Sequence, residues 1–145
     1  MDLLDANILI GAFRTDDPDN AVLRAYLEDS LSSGGLVTFP PLVETAFYRI
    51  TTHPKIFKTP SSFAEASKFM QAILTSGAFR ESRWTASTRE RWQHWCRSLA
   101  LSGDDINDAC LAAIATDQGC RLVSRDRGFA RFRGLGWWNP VDDES

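Results

Sequence analysis

The sequence predicts an α/β fold, a three-layer α/β/α sandwich with a mainly parallel central sheet. Short apolar runs typical of buried strands alternate with longer segments in which apolar residues recur at helical spacing. Chains that alternate strands and helices in this way favour a parallel sheet, because each helix carries the chain back so that the next strand runs in the same direction. In such sheets, binding sites lie beyond the carboxyl ends of the strands.

The elements follow in order along the chain. A short strand at residues 2–5 leads directly into a helix, and Asp17 as N-cap with Pro18 at the first helical position predicts the start of a second helix. The remaining expected elements are a strand at 36–39, a helix opened by Pro40-Pro41, a helix capped by Ser61 or Ser62, a strand at 79–84, a helix over 88–101, a helix from Asp104 or Asp105 to Gly119, a strand at 121–124 and an edge strand within 134–140.

The composition fits one globular domain. The chain has 145 residues, of which 43% are hydrophobic and 24% are charged, so it can bury a core of ordinary size. We expect a single domain over residues 1–141 and a disordered acidic tail over residues 142–145. The net charge of -3 shows that the chain is not basic overall, which counts only mildly against nucleic-acid binding.

The cysteines and the N-terminal segment favour a cytoplasmic protein. Three cysteines without CxxC spacing leave at least one thiol unpaired, which is typical of a reducing compartment. The apolar stretch 3–13 is too short to span a bilayer and contains Asp5. We therefore expect neither a signal peptide nor a membrane-spanning segment.

Four acidic residues lie in apolar surroundings, where an unpaired charge is costly. Asp5 and Asp126 follow predicted strands, whereas Glu44 and Asp108 lie on predicted helices. Because neighbouring parallel strands end at the same edge of the sheet, the positions of Asp5 and Asp126 favour convergence of these side chains. Clustered carboxylates repel each other unless a cation neutralises them, and an all-oxygen site suits Mg²⁺ or Mn²⁺ better than zinc.

Each acid also has an ordinary structural interpretation. Asp5 fits the N-cap of a helix that begins at Ala6, and Asp126 fits a turn residue after a strand. Glu44 fits a first-turn acid that complements the helix dipole, and Asp108 can pair with an arginine at the surface. The local sequence leaves both interpretations open for each of the four acids.

Five segments carry a resemblance to a known family, and together they span nearly the whole chain. They are Asp5-Ala-Asn-Ile-Leu-Ile10, Pro41-Leu-Val-Glu44 with Arg49-Ile-Thr51, Asn107-Asp108-Ala-Cys-Leu-Ala-Ala-Ile-Ala115, Leu122-Val-Ser-Arg-Asp126-Arg-Gly-Phe129-Ala-Arg-Phe132 and Leu135-Gly-Trp-Trp-Asn-Pro140. In order and spacing they resemble the VapC toxins, the PIN-domain ribonucleases of bacterial toxin–antitoxin pairs. The resemblance implies a PIN-like sandwich, a homodimer, a cognate antitoxin and RNA cleavage that depends on Mg²⁺ or Mn²⁺.

The resemblance also implies roles for particular residues. By match to the family motif, the catalytic and metal-binding acids are Asp5, Glu44, Asp108 and Asp126. Asn7 and Ser124 match the small polar residues that orient these acids in the family. Arginines are dense only near residue 126, and we expect RNA phosphate contacts, or alternatively only surface ion pairs, from Arg125, Arg127 and Arg131.

One residue departs from the family pattern. Gly128 stands where the last motif usually carries a second acid, which puts a second metal site in doubt. The alternative function is therefore a catalytically degenerate scaffold that binds RNA or a protein partner. Of the nearby acids Asp104 and Asp105, we expect one to cap a helix rather than to bind metal.

Aromatic residues suggest where partners bind. If exposed, the natural candidates for a dimer interface are Phe47, Phe57 and Phe63. The five tryptophans are expected to supply buried area rather than stacking surfaces for RNA bases, because large aromatics mostly stabilise cores.

Overall fold

A four-stranded, fully parallel sheet organises the computed structural model, which describes residues 1–142. The strands are β1 (Asp2–Leu4), β2 (Val37–Thr38), β3 (Arg121–Val123) and β4 (Trp137–Trp138). Their order in the sheet is β2-β1-β3-β4, so β1 and β3 are neighbours at its centre. Leu4 is in register with Val123, and the Asp5 amide donates to the Val123 carbonyl at 3.0 Å. The segments that follow β1 and β3 therefore leave the sheet side by side.

Within residues 1–142, six α-helices and one 3₁₀ helix surround the sheet. They are α1 (Ala6–Phe13), α2 (Asn20–Ser32), α3 (Pro41–Thr51), α4 (Phe63–Leu74), α5 (Ala86–Ser98), α6 (Asp104–Gln118) and the 3₁₀ helix (Arg127–Arg131). α1 packs against α2 and α3, and α4 packs against α3, whereas α5 packs against α6, which contacts β1 and β3. No helix in this part of the chain is both long and apolar enough to cross a membrane.

Both faces of the sheet are covered, as the predicted sandwich requires. Successive residues of a strand point to opposite faces. Leu3 and Leu4 are both fully buried in β1, and Leu122 and Val123 are both fully buried in β3. The predicted three-layer α/β/α fold is therefore confirmed.

Several helix boundaries follow the local sequence signals. At the start of α4, the Ser62 hydroxyl accepts from the Glu65 amide, while the Glu65 carboxylate accepts from the Ser62 amide, which forms a capping box. Pro41 occupies the first turn of α3, where its missing N–H costs nothing. Gly119 ends α6 in the left-handed conformation that favours glycine.

One predicted helix start is wrong, and at a second helix the predicted capping residue is wrong. α2 begins at Asn20 rather than at Pro18, and the Asp17 carboxylate accepts from the Asp19 amide and pairs with Arg125 at 3.0 Å. α6 begins at Asp104, as predicted, but its N-cap is Gly103 rather than Asp104 or Asp105, and the Asp105 carboxylate lies 3.3 Å from the Arg131 guanidinium. Neither pairing can be predicted from the local sequence.

Other predictions need correction or lie outside the described residues. The expected strand at 79–84 is reduced to a single parallel bridge between Phe79 and Val37. Phe47 is fully buried against Phe13 and Phe69, so it cannot contribute to a dimer interface, whereas Phe63 is 65% exposed. The predicted tail, apart from Asp142, lies outside the described residues.

We expect Gly11→Ala to destabilise the contact between α1 and α2. A Cβ at residue 11 would come within 2.3 Å of Leu23 Cδ1 and 2.8 Å of the Arg125 guanidinium, and overpacking of this kind costs about 1–3 kcal/mol. Gly136→Ala is the matched control, because no heavy atom lies within 4 Å of its added Cβ. Urea unfolding, followed by circular dichroism, measures the free energy of unfolding of both variants. Equal values for Gly11→Ala and Gly136→Ala would contradict the prediction.

Candidate active site

A cleft of about 290 Å³ opens where β1 ends, between α3 and α6. Its polar wall consists of Asp5 from the start of α1, Thr45 and Arg49 from α3, and Asn107 and Asp108 from α6. Asp5 and Asp108 are far apart in sequence, yet both line this cleft. It lies beyond the carboxyl end of a parallel strand, which is where this class of sheet places its sites.

Hydrogen bonds fix the orientation of Asp5. One carboxylate oxygen accepts from the Ala6 amide at 2.7 Å, and the other accepts from the Ser124 hydroxyl at 2.6 Å. Ser124 is fully buried, and its oxygen also accepts from the Asn7 side-chain amide and from the Asp126 amide. The hydroxyl thus uses its one donor and both acceptor positions. Asn7 and Ser124 therefore connect the segments that follow β1 and β3.

Three carboxylates share the region around the cleft. Burial raises the pKa of Asp5, and the charge of Asp126 adds to that rise against the hydrogen bonds from Ser124 and Ala6. Burial also raises the pKa of Asp108 to about 6, with a further upward contribution from Asp126 and a smaller one from Asp5. Because like charges disfavour ionisation of their neighbours, the structure brings Asp5, Asp108 and Asp126 into one electrostatic group.

The other two predicted site acids, Asp126 and Glu44, do not line the cleft. The Asp126 carboxylate accepts from the Gly128 amide at 2.8 Å and so caps the 3₁₀ helix. Glu44 lies half-buried in the first turn of α3. Its neighbours Val43 and Thr45 line the cleft, whereas the Glu44 side chain does not. Glu44 is therefore beside the cleft but outside the group formed by the three aspartates.

The chemistry of the cleft fits a hard divalent cation. The available ligands are carboxylate oxygens, and Asp5 and Asp108 line the same hollow with pKa values that a bound cation would lower. Across residues 1–142, however, no three His, Cys, Asp or Glu side chains are arranged to hold one ion. One oxygen of Asp108 lies 3.2 Å from the Arg131 guanidinium, which occupies this side of the acidic group.

The arginines predicted to contact RNA differ in their surroundings. Arg125 donates to Asp17, to Asp19 and to the Asn7 carbonyl, so it joins the start of α2 to the segment after β3. Arg127 is largely exposed and lies 2.7 Å from Asp142. Arg131 faces the acids of α6. The structure therefore engages the guanidiniums of all three with carboxylates of the chain.

Arg49 is a candidate site residue that we did not predict from the sequence. It is exposed at the cleft, and none of the described residues forms an ion pair or hydrogen bond with its guanidinium. Helical spacing in the sequence indicates this role for Arg49. Residues at three- and four-residue steps of α3 share one face, and those that line the cleft are Leu42, Thr45, Ala46 and Arg49. The face of α3 toward the cleft thus carries an unengaged positive charge.

Three of the tryptophans have structural contacts, as predicted. The indole N–H of Trp92 donates to the Ile106 carbonyl, and that of Trp137 donates to the Ser124 carbonyl, each at 3.1 Å. Trp95 is buried against the Phe132 ring. These rings join helices and strands, and Trp92 and Trp137 remain partly exposed.

Comparison with known proteins identifies the family. The family model described as PIN domain matches residues 3–135. Ribonuclease VapC31 of Mycobacterium tuberculosis is 38% identical over 140 residues, which cover 97% of this chain and 99% of that protein. Ribonuclease VapC25 of the same species is 36% identical over 140 residues, with the same coverage of both chains.

Solved structures support the same fold. VapBC2 from Rickettsia felis, bound to a DNA fragment from its promoter, aligns with a TM-score of 0.71 at 17% identity and covers 95% of this chain and 97% of that chain. VapC20 of Mycobacterium tuberculosis, a sarcin-ricin loop cleaving toxin, aligns with a TM-score of 0.68 at 14% identity and covers 94% and 98%. With the relatives above, these matches show that the chain belongs to the PIN-domain family, among the VapC ribonucleases.

Proposed function

We propose that this chain is the toxin of a toxin–antitoxin pair, a cytoplasmic endoribonuclease that depends on Mg²⁺ or Mn²⁺. The observation that carries the proposal is the cleft in which Asp5 and Asp108 meet, with Asp126 close enough to raise the pKa of both. The relatives named as ribonucleases support RNA as the substrate. The domain responsible is the single unit that we predict over residues 1–141.

In this proposal Asp5 and Asp108 would hold the cation most directly, and Asp126 would complete the set directly or through water. Glu44, which does not line the cleft, acts through water. A bound divalent ion lowers the pKa of a coordinated water and offsets negative charge on a phosphate. The chain supplies the orientation, because the Ser124 hydroxyl and the Ala6 amide fix the Asp5 carboxylate before any ligand arrives.

Arg49 is the proposed contact for an RNA phosphate at the cleft. A guanidinium can bind a phosphate through two parallel hydrogen bonds, and the donors of Arg49 are not engaged by any described residue. Arg127 is exposed and can add a second phosphate contact farther along the strand. We leave Arg125 out of the proposed RNA contacts, because Asp17, Asp19 and the Asn7 carbonyl already hold its guanidinium.

A catalytically degenerate scaffold is the second candidate function. Two observations favour it, namely the ion pair between Arg131 and Asp108 and the lack of three converging acids in residues 1–142. Such a scaffold would bind RNA or a protein partner without metal affinity. Titration of the purified chain with Mn²⁺ therefore separates the two candidates before any cleavage is measured.

The proposed partners are a cognate antitoxin and a second copy of the chain. VapBC2 from Rickettsia felis and VapBC-1 from nontypeable Haemophilus influenzae are among the structures similar to this chain. A homodimer would cover the exposed Phe63, whose ring stacks on Tyr48. The antitoxin would then cover the acidic cleft.

Asp5→Asn tests the metal mechanism. We expect RNA cleavage in the presence of Mn²⁺ to fall roughly 100-fold or more, because the amide keeps the acceptor for the Ala6 N–H but loses the negative charge that binds the cation. Asp29→Asn, an exposed position on α2, is the matched control and should retain activity. Cleavage that persists both in Asp5→Asn and in excess chelator would refute metal dependence.

Arg49→Ala tests the phosphate contact. We expect KM for an RNA oligonucleotide to rise about 10-fold with a smaller change in kcat, because the side chain binds substrate rather than reacting groups. Arg49→Lys should recover part of the loss, since it keeps the charge but not the planar pair of donors. Arg24→Ala, which removes an exposed arginine of α2, is the control. An unchanged KM in Arg49→Ala would exclude the contact.

Asp108→Asn tests the cost of the acidic group in the metal-free chain. The pKa of Asp108 is raised from 3.8 to about 6, so ionisation of this carboxyl destabilises the folded chain. The loss of stability is absent below about pH 4, grows as the pH rises, and is complete above about pH 6. We therefore expect Asp108→Asn to raise the free energy of unfolding at pH 7.5 by about 1–2 kcal/mol and to give no gain near pH 4. Glu90→Gln on exposed α5 is the control, and a variant less stable than wild type at pH 7.5 would contradict the prediction.

A further inference from the structure

The Arg131 side chain runs from the end of the 3₁₀ helix toward the acids of α6. Nη2 lies 3.3 Å from Asp105 and 3.2 Å from Asp108, and Nη1 donates to the Gly128 carbonyl at 3.0 Å. One guanidinium therefore contacts two carboxylates, and one of these lines the cleft. No other described arginine is paired with an acid that lines the cleft.

Gly128 makes this arrangement possible. A Cβ at residue 128 would lie 2.6 Å from Arg131 Nη1 and 3.1 Å from Asp126 Oδ1. The space that a side chain at this position needs is thus already filled by the guanidinium, next to the carboxylate of Asp126. The absence of a side chain at residue 128 and the presence of a guanidinium beside it are therefore two parts of the same packing.

The Arg131 side chain is partly buried in the protein. Nε is buried and has no hydrogen-bond partner among the described residues, and the guanidinium carbon lies 4.8 Å from the centre of the Phe132 ring. A partly buried cation of this kind is tolerated when carboxylates compensate its charge, and Asp105 and Asp108 do so here. Arg131 therefore keeps a permanent positive charge at this edge of the acidic group.

We propose that Arg131 takes the place of a second divalent ion, so that the cleft binds one ion and not two. The inference rests on the proposed metal-dependent function. The guanidinium occupies one oxygen of Asp108 and fills the space beside Asp126, and its charge repels a divalent ion placed next to it. Asp5, which is held by Ala6 and Ser124 and not paired with Arg131, would be a ligand of the one ion that the cleft binds.

Counting bound Mn²⁺ tests this proposal without measuring cleavage. Electron paramagnetic resonance of free Mn²⁺, or calorimetric titration, gives the number of ions per chain. We expect one ion for wild type and two for Arg131→Gln, in which Asp105, Asp108 and the space beside Gly128 are released. Arg131→Lys should stay at one ion, because it retains a positive charge at the same place.

Two further variants test whether the number of bound Mn²⁺ ions depends on the charge and the space at Arg131. Arg127→Gln removes the same charge from an exposed ion pair outside the cleft and should stay at one ion. Gly128→Asp combined with Arg131→Gln supplies an added carboxylate in the space that the guanidinium vacates, and it should bind the second ion more tightly than Arg131→Gln alone. Circular dichroism establishes that each variant is folded.

The possible outcomes separate this inference from the proposed function. Two ions in wild type would overturn the role of Arg131 while leaving the metal site intact, whether or not Arg131→Gln folds. A folded Arg131→Gln that still binds one ion would overturn it as well. If neither wild type nor any variant binds Mn²⁺, then the proposed function itself fails, and this inference fails with it.

Discussion

Burial of like-charged carboxylates around the ends of β1 and β3 is the constraint to which the surrounding structure responds. Burial and mutual charge raise the pKa of both Asp5 and Asp108, so the ionised acids oppose folding near neutral pH. The core residues of β1 and β3, buried on both faces of the sheet, hold the segments in place against that cost. A site of this kind is stabilised by positive charge, whether from a bound cation or from a side chain such as Arg131.

The structural and functional interpretations of the acids turn out not to be alternatives. Asp5 caps α1 and lines the cleft, while Asp126 caps the 3₁₀ helix and belongs to the same electrostatic group. The reason is geometric, because a strand that passes directly into a helix points the amides of the first helical turn at the residue between them. Those amides stabilise a negative charge at the position where parallel strands bring acids together.

The sequence predicts the features of this chain that depend on local patterns. Apolar runs place β1 and β3, the residues after them include Asp5 and Ser124, and the capping signal at Ser62 gives the start of α4. The features that the sequence does not predict depend on contacts between residues that are distant in sequence. Asp17 does not cap α2, and its carboxylate pairs with Arg125, which is distant in sequence, as well as accepting from the Asp19 amide. The ion pair between Arg131 and Asp108 likewise depends on how the 3₁₀ helix meets α6.

The arginines around the site differ in whether carboxylates of the chain already bind their guanidiniums. This difference indicates the side from which a phosphate can approach the cleft. Arg125 is held by acids of the α2 start, and Arg131 by acids of α6, so neither is free to follow an incoming phosphate. Arg49, on the opposite wall formed by α3, has no such partner among the described residues. An RNA backbone is repelled by the aspartates and attracted by Arg49, so we infer that it enters along the α3 wall, with its phosphate between Arg49 and the cation-binding acids.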